Sequence, residues 1–194
     1  AAASAALAAP LATLPTRAVA CVGGERIGIV HGDAASLAGW GFSAAALGQP
    51  AAPRRCAEWF ARAGVGAFAC SHTCLPVLRT LETAGGSRVI ANNGAAGMPN
   101  FRGTRHGIIT RVSVHPCTKP LYGTVLRGVH IDALAVQHDH DAWLRWFLAT
   151  WPEGSPAHAS YLARMLGGPS WHPADAMPRP VGTNASVPAC ASLA

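Results

Sequence analysis

Ala69-Cys70-Ser71-His72-Thr73-Cys74-Leu75-Pro76 is the stretch around which the remaining 186 residues find their places. It follows a short apolar run, Val65 to Phe68, which reads as a buried strand. At the strand's end two metal-ligating residue types stand two positions apart, His72 and Cys74. In an extended segment residues i and i+2 project to the same side, so imidazole and thiolate would converge on one ion or on two neighbouring ions. Pro76 ends any regular ladder soon afterwards.

Two other stretches repeat the pattern of a strand running into a polar loop. Arg26-Ile27-Gly28-Ile29-Val30 leads into His31-Gly32-Asp33, and Arg88-Val89-Ile90-Ala91 leads into Asn92-Asn93-Gly94-Ala95-Ala96-Gly97-Met98-Pro99. If the three strands lie side by side, their loops emerge together at one edge of the sheet, where open α/β sheets bind ligands.

The bulk properties narrow the class. With 194 residues the chain is long enough for one domain with a core of its own. Half the residues are hydrophobic and 12% are charged, with mean hydropathy +0.23, yet no apolar run reaches the length of a membrane span. The formal charge of +6 comes almost wholly from scattered arginines, Lys119 being the only lysine, without the basic runs of a nucleic-acid arm. That balance suits a small anionic substrate, with neither nucleic acid as a stable partner nor a membrane. None of the six cysteines pair at C-x-x-C spacing, and the chain is too large for a disulfide scaffold, which favours a reducing cytoplasm.

In chain order, residues 1–16 read as one or two short helices ending at Pro15. Gly23-Gly24 between two apolar runs is a hairpin signal. Residues 34–50 are loop-like around Trp40 and Phe42. Arg54 to Ala63 is helical, with Cys56, Trp59, Phe60 and Ala63 on one face and Gly64 at the C-cap. A strand near Val77 to Glu82 turns at Gly85-Gly86 into the Val89 strand. Gly107 to Val114 and Val125 to Val136 read as two further strands split by a turn at Pro116 to Pro120. Two helices follow, one capped by Asp139 or Asp141 and stopped by Pro152, the other opened by Ser155-Pro156 and closed by Gly167-Gly168. From residue 169 to 194 prolines and small residues suggest a mostly disordered tail, which also carries the glycosylation pattern Asn184-Ala185-Ser186.

Taken in order, His31-Gly32, then Cys70-Ser71-His72-Thr73-Cys74-Leu75-Pro76, then Asn92-Asn93-Gly94-Ala95-Ala96-Gly97-Met98-Pro99, the motifs resemble the second half of a calcineurin-like metallophosphoesterase. In that family one strand ends in His-Gly, a later one in Gly-His-x-His, and a Gly-rich loop follows. The resemblance covers roughly residues 18–150. It implies an α/β fold with two packed sheets flanked by helices, of which residues 1–168 would be the C-terminal portion.

It also implies metal-dependent hydrolysis of a small phosphorylated substrate with two divalent ions: manganese, iron, zinc or magnesium. His31 and His72 would ligate one ion. Cys74 stands where the family places a second histidine, and Ser71 where it places a glycine. Asn93 and Gly94 would shape the substrate loop, with Asp33 beside them as a substrate contact or a turn former. The family's Asp-x-His, Gly-Asp-x-x-Asp and Gly-Asn-His motifs, which supply the bridging aspartate and the catalytic histidine, are not found, so no catalytic residue is assigned to this chain.

Two other readings stand beside the enzyme: a non-catalytic protein-interaction scaffold of the same fold, and a structural zinc site built from Cys70, His72 and Cys74. His138-Asp139-His140-Asp141 looks metal-rich but reads as a helix start, where acidic residues cap the helix and favour its dipole. His106, His115 and His130 read as strand or turn residues, and Trp40, Trp143, Trp146 and Trp151 as packing.

Overall fold

The computed structural model describes residues 12–177. The expectations for residues 1–11 and for the segment from residue 178 onward, including Asn184, lie outside them.

Alternation of side chains along each strand builds the centre of the molecule. The strands β1 (Arg17–Val22), β2 (Glu25–Val30), β3 (Ala67–Cys70), β4 (Pro76–Thr83) and β5 (Gly86–Asn93) form one sheet in the order β1-β2-β3-β5-β4. β2, β3 and β5 are parallel neighbours, with Gly28 opposite Phe68 and Phe68 opposite Ile90, whereas β1 and β4 run antiparallel at the two edges. Val30, Phe68, Cys70, Val77 and Ile90 project to one face. Ile27, Ala67, Leu78, Val89 and Ala91 project to the other.

The first face is covered by α2 (Ala52–Ala63), preceded by the short helix α1 (Ala44–Leu47). Cys56 and Phe60 of α2 reach Phe42, Phe68 and Ile90 in a core whose rings stack in tilted contacts 4.9 to 5.2 Å apart. Gly64 closes α2 in the left-handed conformation at φ 60°, as the C-cap reading requires. Gly28 sits under Phe68, and a Cβ there would stand 2.8 Å from the ring.

The second face packs on a three-stranded antiparallel sheet in the order β6-β8-β7 (Gly107–Ser113, Val129–Val136 and Tyr122–Leu126). Leu126 and Ile131 join Ile27, Leu78 and Val89 in the inter-sheet core, and Arg127 of the β7–β8 turn pairs with Glu25 of β2. The fold is thus mixed α/β with two packed sheets. Beyond the sheets run α3 (His140–Thr150), α4 (Pro156–Gly167) and the short α5 (Pro173–Ala176).

Two expectations change. The run from Val125 to Val136 is not one strand. It breaks at Arg127 (φ 44°) and Gly128 (φ 85°), a two-residue turn joining Leu126 to its partner Val129. Arginine in the left-handed region gave no turn signal, and Tyr122–Leu126 became a separate strand. Residues 169–177, expected as the start of a loose tail, are instead seated on the sheet. Trp171 donates its indole N–H to the Pro76 carbonyl at 3.1 Å, Arg79 donates to the Ala176 carbonyl at 3.2 Å, and Ala176 is fully buried against β4. One tryptophan and one alanine supply enough contact to hold residues 169–177 on the sheet.

Candidate metal centre

The parallel arrangement of β2, β3 and β5 brings the three polar loops to one end of the sheet, as their shared strand-loop pattern requires. His31 follows the last residue of β2. Its carbonyl accepts the backbone N–H of Ser71 at 3.1 Å and of His72 at 2.9 Å, which fastens the β3 loop to the end of β2. The two side chains then meet: His72 Nδ1 lies 3.0 Å from His31 Nε2, with the rings edge to face at 4.8 Å. His31 is exposed and His72 half-buried, so the pair faces solvent.

Two nitrogens at that separation suit two states. With no third party one ring donates its proton and the other accepts. With a divalent ion, both nitrogens would serve as neutral donors from neighbouring loops. The donor set therefore fits a divalent metal as a two-histidine contribution.

The loop after His31 is built around Asp33. Its Oδ1 accepts the N–H groups of Ala35 at 2.8 Å and Ser36 at 2.9 Å, and its Oδ2 accepts Gly41 N–H at 2.9 Å. The glycines are there to admit it: a Cβ on Gly39 would fall 2.0 Å from Asp33 Oδ2, and one on Gly32 would fall 2.4 Å from Gly39 N. Of the two roles read for Asp33, the turn role is the one its buried carboxylate occupies. The turn delivers Trp40, whose exposed ring stands edge-on to His72 at 5.6 Å. Trp40 is the neighbour that sequence reasoning assigned to packing; its place in Gly39-Trp40-Gly41, where no regular element could bury it, was the available signal.

The β3 loop is a tight turn rather than an extended segment. Cys74 N–H donates to the Ser71 carbonyl at 3.0 Å, and Cys74 itself is left-handed at φ 57°. The i, i+2 argument therefore fails at Cys74. Its Sγ lies 3.5 Å from the His72 carbonyl oxygen. Among the described residues no group of three or more His, Cys, Asp or Glu is arranged to hold a metal, so Cys74 does not complete a cluster with His31 and His72. Cys70 points into the α2-side core, 5% exposed, where burial pushes its thiol up to about 12. A thiol held protonated there is a poor partner for zinc.

The third loop braces the other two. Asn92 is buried. Its amide donates to Thr73 Oγ1 at 2.7 Å, and its Oδ1 accepts Gly94 N–H at 3.0 Å. Asn93, the residue read as shaping the substrate loop, instead donates to the Ile108 carbonyl at 2.8 Å and ties the two sheets together. Gly94 (φ 73°) packs so closely that a Cβ would stand 2.2 Å from Asn100 Oδ1, and its carbonyl accepts the Ser71 hydroxyl at 3.2 Å. From α4, Arg164 donates to the carbonyls of Cys74 at 2.6 Å and Pro99 at 3.0 Å, clamping the second and third loops. Asn92 and Arg164 were both missed: the first by choosing its neighbour in Asn92-Asn93-Gly94, the second because nothing in an arginine on a helix announces carbonyl partners ninety residues away.

No helix among the described residues is long and apolar enough to cross a membrane. In comparison with known proteins, no family model and no curated protein matches the chain. Among solved structures, a metallophosphoesterase from Sphaerobacter thermophilus is similar over 83% of this chain, with 17% identity and a TM-score of 0.48. The chain spans 62% of the length of that structure.

Proposed function

We propose that this chain is the second-half portion of a metal-dependent phosphoester hydrolase, contributing His31 and His72 to a metal site. The observation that carries the reading is the meeting of the two imidazoles, 3.0 Å apart, at the common end of parallel strands β2 and β3. Forty-one positions separate them in sequence, and a backbone clamp on the His31 carbonyl holds them together. Motif order and strand context agree with the resemblance to calcineurin-like metallophosphoesterases.

His31 and His72 would hold the metal, and Cys74 stands near them as a donor that a loop adjustment could recruit. A bound divalent pair supplies a lowered pKa for water and charge stabilisation at the phosphoryl oxygens. The chain's own residues prepare the place. Asp33 orders the His31 loop, Asn92 fixes the His72 loop through Thr73, Arg164 clamps the turn, and Trp40 shields one side of His72. The remaining donors and the proton donor to the leaving group are assigned to the family's other motifs, outside these residues.

Binding of manganese and zinc by calorimetry, on the chain and on His31→Ala and His72→Ala, tests the metal site. Hydrolysis of an aryl phosphate by the chain extended upstream tests the activity. The reading expects binding to weaken at least about tenfold in either variant and the extended protein to cleave the ester only when His72 is present. Binding unaffected by both substitutions, or an extended protein inert with every divalent ion, would leave a protein-interaction scaffold as the function of this fold.

A further inference from the structure

A cleft of about 580 Å³ lies beside α3, lined by Trp143, Trp146, Ala96 and Gly97 and by the polar His138 and Asp139. Its volume is that of a small-molecule site. The two indoles stack at 4.8 Å and 19°, an i, i+3 pair on one helix face, and both are exposed, Trp146 by 53%. Two exposed flat rings beside small residues offer a stacking surface for another flat ring. His138 at its end keeps a buried Nε2 without a hydrogen-bond partner, a polar group for which the fold provides nothing.

One side of the cleft, Ala96 and Gly97, lies on the loop after β5, which also touches the turn that carries His72. Gly94 carries the Ser71 hydroxyl on its carbonyl, and Gly97 follows three residues later, at most about 10 Å along the chain. The loop between them is held in place. Ile108 N–H donates to the Ala95 carbonyl at 2.8 Å, and Gly107 admits the Ala96 carbonyl to where its own Cβ would be, 1.7 Å away. The Ala95–Ala96 backbone beside the cleft is therefore fixed, and it continues back to Gly94, which accepts the Ser71 hydroxyl next to His72.

We infer that the Trp143–Trp146 cleft binds the planar aromatic portion of a small phosphoester, a nucleobase or an aryl group, whose phosphate sits toward His31 and His72. The placement of the phosphate rests on the proposed function; the aromatic site does not. The lining carries no lysine or arginine and includes the Asp139 carboxylate, which suits an uncharged ring there and leaves the phosphate to the other end of the loop.

Calorimetry and saturation-transfer NMR on the chain with adenosine and with 4-nitrophenol, neither of which carries phosphate, separate the two aromatic sources. Both are repeated on Trp143→Leu, Trp146→Leu and Trp146→Phe, with circular dichroism as the check on folding. Binding of at least one probe is expected, weakened about tenfold by either leucine and largely kept by phenylalanine. His72→Ala is expected to leave that binding unchanged and to abolish the further affinity that a phosphate group adds in the presence of manganese. If neither probe binds, or if the leucine variants bind as the parent does, the cleft is not an aromatic site. If the chain self-associates and the leucine variants are monomers, the tryptophans are covered by a second copy and the inference falls. Aromatic binding that gains nothing from phosphate or from His72 upholds the cleft and overturns the phosphoester reading.

Discussion

The molecule has two histidine pairs, and they differ in the way that matters for chemistry. His138 and His140 lie two residues apart in a run of four metal-friendly side chains, His138-Asp139-His140-Asp141, yet their rings are 5.8 Å apart and tilted. The structure spends the run on starting a helix. Asp139 accepts the Ala142 N–H at 2.9 Å as the cap of α3, Asp141 pairs with Arg105 at 3.0 Å, and His140 is buried at 6% exposure with an unpartnered Nδ1. His31 and His72 are far apart in sequence and share one hydrogen-bond distance. At a helix start successive side chains fan out around the axis. At the ends of neighbouring parallel strands, separate loops are forced together. Nearness along the chain is thus a weak guide to a site, and a shared place in the topology is a strong one.

The largest effect that would break this contrast is at the loop anchor. Asp33→Ala removes the acceptor of three backbone N–H groups in a buried turn, where one hydrogen bond to a charged group contributes about 1.5–3 kcal/mol. A loss of about 3 kcal/mol in urea unfolding is expected, together with loss of metal binding as His31 is set free. Asp33→Asn, which keeps acceptor capacity on one side only, should fall between. A variant with parental stability would show that the His31 loop is held by something other than its aspartate.

Next in size is the direct comparison of the pairs. His72→Ala should weaken manganese or zinc binding at least about tenfold, equivalent to about 1.4 kcal/mol, while His138→Gln should change it by less than about twofold. Equal losses at both positions would mean that the sequence cluster, and not the strand-end pair, holds the ion. Asp139→Ala should then cost about 1 kcal/mol of stability as a helix cap with metal affinity intact, and a drop in affinity would move Asp139 from cap to ligand.

How much of this was legible beforehand follows the same division. The three strands β2, β3 and β5 could be read because each is a short apolar run ending in a polar loop, but their adjacency entered only as a condition, which the parallel pairing meets. The helix start at Asp139 or Asp141, which the structure places at Asp139, the Ser155-Pro156 start and the Gly64 stop were local and needed no tertiary knowledge. What could not be read was where side-chain polar groups find backbone partners across the fold. Asn93 and Asn92 are indistinguishable as neighbours, yet one ties two sheets and the other braces the His72 loop. Cys74 looked like a ligand because its loop was assumed extended. The left-handed turn that redirects it is closed by its own N–H on the Ser71 carbonyl and is touched by Arg164, on a helix far along the chain.

The smallest effect concerns a histidine outside both pairs, His106. Burial of His106 lowers its pKa from the ordinary value of 6.5, and its Nε2 is enclosed without a partner. The unfolded chain therefore binds a proton that the folded chain refuses. Stability should be flat above the unfolded value and should fall as the pH drops through 6.5 toward the lower folded value. Urea unfolding at a series of pH values between 5 and 8 should show this slope, less than one proton's worth, and His106→Gln should flatten it. The proposed metal site adds a second, metal-dependent part to the slope. Adding manganese should therefore steepen the pH dependence, because neutral rings are needed as ligands, and His72→Ala should remove the increment while leaving the His106 part in place. If the metal-dependent increment survived in His72→Ala and vanished in His138→Gln, the buried cluster would be the metal site and the comparison would be reversed.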